Sequence, residues 1–127
     1  MTTDITLDTG TDQLLCVIRE KVAIITLNRP EARNAMSDQL TPALRRMVKE
    51  RGDDDRVGAL IITGAGTAFC SGGDVKGMGD NSAKKDWTDA QRVADLKERQ
   101  RLLTGAIVGV RKPTVAALPG AAAGAGL

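Results

Sequence analysis

Residues 57–78 read VGALIITGAGTAFCSGGDVKGM. A run of apolar and β-branched residues, Val57 to Thr63, passes directly into a loop built from glycine, alanine and small polar residues. The run predicts a buried strand, because such side chains suit a pleated sheet covered on both faces. The loop predicts backbone held in the open, since glycine and alanine leave no bulk to block an approaching group. The pattern recurs at the end of the chain. Thr114 to Leu118 (TVAAL) reads as a strand and leads into PGAAAGAGL, residues 119–127.

Upstream, LLCVIRE (Leu14 to Glu20) and VAIITLN (Val22 to Asn28) are β-rich runs on either side of a Glu20-Lys21 turn and predict a hairpin. Asn28-Arg29-Pro30 ends the second. A helix follows, with Ser37 as its N-cap and Leu40, Ala43, Leu44, Met47 and Val48 on one face; Gly52 ends it. Pro42 leaves two starts open: a kinked first turn behind Ser37, or Thr41 as cap with Pro42 at the first helical position. A second long helix is predicted from Thr88 to Val110, weakened toward its end by Gly105 and Gly109 and broken at Lys112-Pro113. Residues 1–12 are polar and predict a loosely ordered segment. The order β-β-α-β-α-β is that of a layered α/β fold.

The 127 residues suit one domain, and 42% apolar with 27% charged residues is an ordinary globular balance. The net charge of +2 is spread among interleaved acids and bases, so no strong field for nucleic acid or an anionic membrane is expected. Phe69 and Trp87 are the only aromatics, too few for a base-stacking platform. Histidine is absent, which excludes Ser-His-Asp and Cys-His catalysis and histidine metal ligation within this chain. Cys16 and Cys70 lie in apolar surroundings and read as reduced thiols of a cytoplasmic protein. No signal peptide or membrane span is visible.

Two small-residue loops behind two strands can each present unpaired backbone N–H groups. Aimed at one point, a donor from each forms an oxyanion hole, a device that needs no histidine and is worth about 2.7–4 kcal/mol per donor in the transition state. Either loop alone reads more readily as a turn or a close-packing device. GAGTAF lacks the third glycine of a dinucleotide fingerprint, and no Gly-Lys-Ser/Thr supports a P-loop.

Taken together, VAIITLNRPEARNAM, GTAFCSGGDVKGM and KPTVAALPGAAAGAG resemble the enoyl-CoA hydratase/isomerase, or crotonase, family, in its order and at its separations. The resemblance runs from Leu14 onward. It implies a crotonase-like β-β-α superhelix binding acyl-CoA thioesters, with residues 13–127 the N-terminal part of a single domain. It also implies that the N–H groups of Gly73 and Ala125 polarise the thioester carbonyl. Ala125 stands where relatives often carry glycine, and alanine keeps the amide. By the same resemblance Ala32, Arg33, Ala35, Ser71, Gly72, Asp74, Val75 and Lys76 would contact coenzyme A, with Arg33 and Lys76 either meeting phosphate or remaining solvated surface charges. Asp74 is expected to position rather than to transfer protons.

Hydratases of the family place a glutamate two residues beyond the last glycine of the second loop, which would be position 128. PGAAAGAG looks more like isomerase-type relatives than the GGGCE form. The resemblance thus implies a hydratase or isomerase using no metal or redox cofactor, coenzyme A being part of the substrate, assembled as a homotrimer or a hexamer. The alternative is a non-catalytic acyl-CoA-binding protein that keeps the carbonyl cradle without the acid/base groups.

Overall fold

The computed structural model describes residues 4–73 and 87–127. Five strands form one sheet in chain order: β1 (Ile5–Leu7), β2 (Leu14–Arg19), β3 (Val22–Leu27), β4 (Ala59–Gly64) and β5 (Thr114–Ala117). The first three are antiparallel neighbours, and β3, β4 and β5 run parallel. The change follows from the connections. Glu20 and Lys21 take φ of +50° and +65°, the left-handed pair of a tight hairpin turn. The parallel steps are instead bridged by helices, α1 (Leu40–Gly52) and α2 (Asp89–Val108).

Register explains the core. Cys16 faces Ile25, Ile25 faces Ile62, and Ile62 faces Ala116. Alternate residues of β2, β3 and β4 therefore share one face: Leu14, Cys16, Ile18, Ala23, Ile25, Leu27, Leu60 and Ile62 are all buried there. α1 seals that face with Leu40, Ala43, Leu44, Met47 and Val48, and α2 adds Leu103. Each large aliphatic side chain so buried contributes about 1.5–3 kcal/mol.

The opposite face of β3 and β4 is only half-buried, and all four residues of β5 are exposed. Burial on both faces, expected from the unbroken apolar runs, is thus met on one face only among the described residues. α1 begins at Leu40 with Gln39 at its N-cap, which is neither of the two expected starts. Ser37 Oγ accepts the N–H of Leu40 at 3.0 Å, and Pro42 falls inside the first turn, where the missing N–H costs nothing. α2 begins with a full capping box between Thr88 and Gln91.

The N-terminal segment departs from expectation. Residues 1–12 read as loosely ordered, yet Ile5–Leu7 pairs with Cys16–Ile18. Thr9 is buried, its one hydroxyl proton shared between Thr11 O at 2.7 Å and Leu14 O at 2.6 Å. The open edge of β2 captures the segment. A three-residue strand is too short for periodicity to reveal, and the folded unit begins before residue 13.

The junction beyond α1 is fixed by charge. Arg56 donates to Asp54 through its backbone N–H at 2.9 Å and through its guanidinium at 3.0 and 2.8 Å, while Arg51 stands 3.3 Å away. Lys112 Nζ donates to the carbonyls of Arg51 and Asp54, tying the entry to β5 onto the end of α1. The Arg56 hydrogen bonds hold the Asp54 carboxyl down at about 2. A depressed carboxylate stabilises the fold above its unfolded pKa of about 3.9 and loses that contribution as pH falls through the folded value. Asp54→Asn is therefore expected to cost about 1 kcal/mol at pH 7. The gap to wild type should close between pH 4 and 2, read by urea melts across that range. A gap independent of pH would show that the charge is not what holds the junction.

Candidate functional site

Three loops leave the same end of the parallel strands, and backbone hydrogen bonds join them. The first, residues 28–36, turns through Pro30–Ala32 and then takes two left-handed steps at Arg33 and Asn34, φ +51° and +57°. Asn34 is the keystone. Fully buried, its Oδ1 accepts the N–H of Arg29 at 2.7 Å, and its Nδ2 donates to Ala65 O and Ala68 O at 2.9 Å each. One side chain thus closes its own loop and holds the second, residues 64–73.

The second loop is laid along the first. Ser71 N–H donates to Arg33 O at 3.0 Å and Met36 N–H to Gly72 O at 2.7 Å. On its other side it carries the third loop. Phe69 and Cys70 N–H groups both reach Ala121 O, and Ala123 N–H donates to Cys70 O at 3.0 Å. Cys70 and Ala122 form a parallel bridge. Burial pushes the Cys70 thiol up, which favours its neutral form in this packed position.

This lattice fixes two amide directions. In a trans peptide the carbonyl and the following N–H point oppositely. Gly72 O is taken by Met36, so the Gly73 N–H points away from the first loop. Gly124 O accepts from Leu127 N–H, so the Ala125 N–H points away from its own turn, at the start of a short 3-10 helix where amides lack partners. Neither N–H donates a hydrogen bond among the described residues. Gly72, directly before Gly73, packs against the third loop. With φ of +111°, it brings its Cα so near the third loop that an added Cβ would stand 3.1 Å from Ala123 O, with Ala125 N next at 3.5 Å. Only glycine leaves that space open.

The other expected contacts divide. Ser71 and Arg33 are exposed, and Arg33 makes no ion pair among the described residues, leaving its guanidinium available to an anion. Ala32 is half-buried beside them. Ala35 is buried, its carbonyl accepting from Arg29 Nη1 at 2.7 Å and its N–H donating to Ala32 O, so what it supplies is packing. Asp74, Val75 and Lys76 lie outside the described residues. Asn34 is the residue that sequence reading passed over. Its signal was an asparagine in a tight turn, the residue type that best tolerates a left-handed φ while bonding to nearby backbone.

The parallel strands β4 and β5 thus lead into two hydrogen-bonded loops that each leave a backbone N–H without a partner among the described residues. The sequence matches the family described as enoyl-CoA hydratase/isomerase over residues 17–127. It is 38% identical over 120 residues to the protein named "Probable enoyl-CoA hydratase EchA14" in Mycobacterium tuberculosis, covering 91% of this chain and 43% of that protein. Against a "Probable enoyl-CoA hydratase" of Rhodobacter capsulatus it is 42% identical over 113 residues, covering 86% and 39%. The crystal structure of an enoyl-CoA hydratase/isomerase from Mycobacterium paratuberculosis superposes with a TM-score of 0.74 at 34% identity, over 88% of this chain and 43% of that one. The chain belongs to the enoyl-CoA hydratase/isomerase family and has its fold. It spans less than half the length of these relatives.

Proposed function

We propose that the chain supplies the carbonyl-binding half of an enoyl-CoA hydratase or isomerase. The observation that carries the reading is the pair of amides, Gly73 and Ala125, that donate to no partner among the described residues and sit on adjacent loops, with the bare Cα of Gly72 packed against the loop of Ala125. When water adds to the double bond, or a proton leaves the α-carbon, negative charge gathers on the thioester oxygen. Preformed N–H donors stabilise that charge more than the ground-state carbonyl, and this difference is what accelerates the step.

Arg33 and Ser71 would receive the coenzyme A portion, with Asp74, Val75 and Lys76 completing that contact. Proton transfer is assigned to residues of the portion of the relatives that this chain does not span. In loops 28–36, 64–73 and 119–127 the one carboxylate is Glu31, which is exposed. The reading calls for no metal or redox cofactor. It includes a homotrimer or hexamer and a cytoplasmic setting, the last supported by two free, buried cysteines. Among the described residues no helix is long and apolar enough to cross a membrane.

Crotonyl-CoA labelled with carbon-13 at the carbonyl tests the site directly. Its resonance is expected to move downfield on binding, free coenzyme A should compete, and NAD should not. Gly72→Val should weaken binding about tenfold or more, as a side chain displaces the oxygen from Ala125 N–H. Binding without a carbonyl shift would overturn the oxyanion reading. Hydration of crotonyl-CoA by this chain alone would overturn the assignment of proton transfer elsewhere.

A further inference from the structure

A groove of about 1090 Å³ runs between α1 and α2, on the helical side of the sheet. It shares no residue with the loops bearing Gly73 and Ala125. Pro42, Ala43, Leu102, Ala106 and Val110 give it an apolar floor, and a Cβ placed on Gly105 would meet nothing within 4 Å. Its rim is cationic: Arg45, Arg46, Lys49, Arg101 and Arg111 line it, against Asp53 as the one acid.

Two of these cations are occupied. Arg46 donates to Thr9 O and lies 4.0 Å from Glu50, and Arg101 pairs with Glu98 at 2.7 Å. Arg45, Lys49 and Arg111 form no ion pair among the described residues. Arg45 and Lys49 are four residues apart on α1 and so share one face, while Arg111 follows the end of α2. A chain with a net charge of only +2 thus concentrates uncompensated positive charge around one apolar trough.

We propose that this groove binds an amphiphilic anion, a free aliphatic carboxylate whose chain lies on the α1–α2 floor and whose head meets Arg45, Lys49 and Arg111. Burial of the chain supplies affinity, and the cations select the charge of the head. The volume of about 1090 Å³ lies just above the range for small-ligand clefts, which run to roughly 1,000 Å³, so the chain fills only part of the groove.

Decanoate titrated into the nitrogen-15-labelled protein tests this. The expected result is saturable movement of the Gly105, Ala106 and Gly109 amides, with binding weakened as salt rises. Decanol and decyltrimethylammonium should each bind about tenfold or more weakly, and Arg45→Gln/Lys49→Gln should lose a similar factor, since both changes remove the charge pairing. The two head-group controls use the unaltered protein, so the test stands even if the variant folds poorly. Equal binding by decanol, shifts centred on Gly73 and Ala125, or no saturable shift would overturn the proposal. So would capture of anionic vesicles or an acidic amphipathic peptide without binding of free decanoate.

Discussion

Asn34→Ala is expected to lower stability by about 3 kcal/mol, because it orphans three backbone groups at once, one buried and two part-buried. Arg29 N–H loses its acceptor, and Ala65 O and Ala68 O lose their donor. Each unsatisfied group costs about 1–3 kcal/mol, reduced where water can enter the vacated space. The φ of +57° adds to this, since alanine tolerates the left-handed region less well than asparagine. Against a total stability of about 5–15 kcal/mol the loss is large. The midpoint of urea unfolding measures it. Asn34→Asp separates the chemistry from the shape. It is nearly isosteric and can still accept from Arg29 N–H, but at neutral pH it donates to neither carbonyl and sets a carboxylate against both. Wild-type stability in Asn34→Asp would show that the two carbonyls do not depend on the amide.

That keystone marks where sequence reading stops. The elements were legible because their signals are local: β-rich runs in LLCVIRE and VAIITLN, a 3.6-residue period through Leu40–Val48, and breaks at Pro30, Gly52 and Pro113. The loops were legible as places where backbone is exposed. What the loops do to one another was not. Asn34 binds residues 31 and 34 positions further on, and nothing in RPEARNAM states which carbonyls its amide will meet. β1 escaped for a related reason, since its three residues gain their order from the edge of β2 rather than from their own pattern. The α1–α2 groove was equally hidden. Its cations are scattered through the chain as ordinary charges, and only helix packing gathers Arg45 and Lys49 opposite Arg111. β5 is the opposite case. Its apolar composition predicts burial, yet among the described residues nothing covers it, and Val115 remains 56% exposed.

Gly120→Ala is expected to cost about 3 kcal/mol or more and to remove thioester binding, although residue 120 touches neither proposed donor. A methyl group there would overlap the carbonyl oxygen of Thr67 and stand 3.0 Å from its carbonyl carbon. Both partners are backbone, so no side chain can swing aside. Relief requires the second and third loops to part, and the hydrogen bonds from Phe69 and Cys70 to Ala121 O span the same seam at 3.0 and 3.3 Å. Gly126 repeats the constraint at the far end, where a Cβ would come within 2.7 Å of Cys70 Cβ. The two glycines thus seat the third loop on the second at both ends of the segment carrying Ala125. Moving that segment misaligns its N–H relative to Gly73, and an oxyanion hole works only while both donors point at one oxygen. Gly105→Ala supplies the contrast. Its Cβ enters open space on α2, and replacing a helical glycine should raise stability by about 0.8–1.0 kcal/mol while leaving thioester binding unchanged. Thermal unfolding and the crotonyl-CoA carbonyl shift, measured on both variants, decide the matter. A Gly120→Ala protein that keeps its stability and its carbonyl shift would show that the loops are not held at this seam.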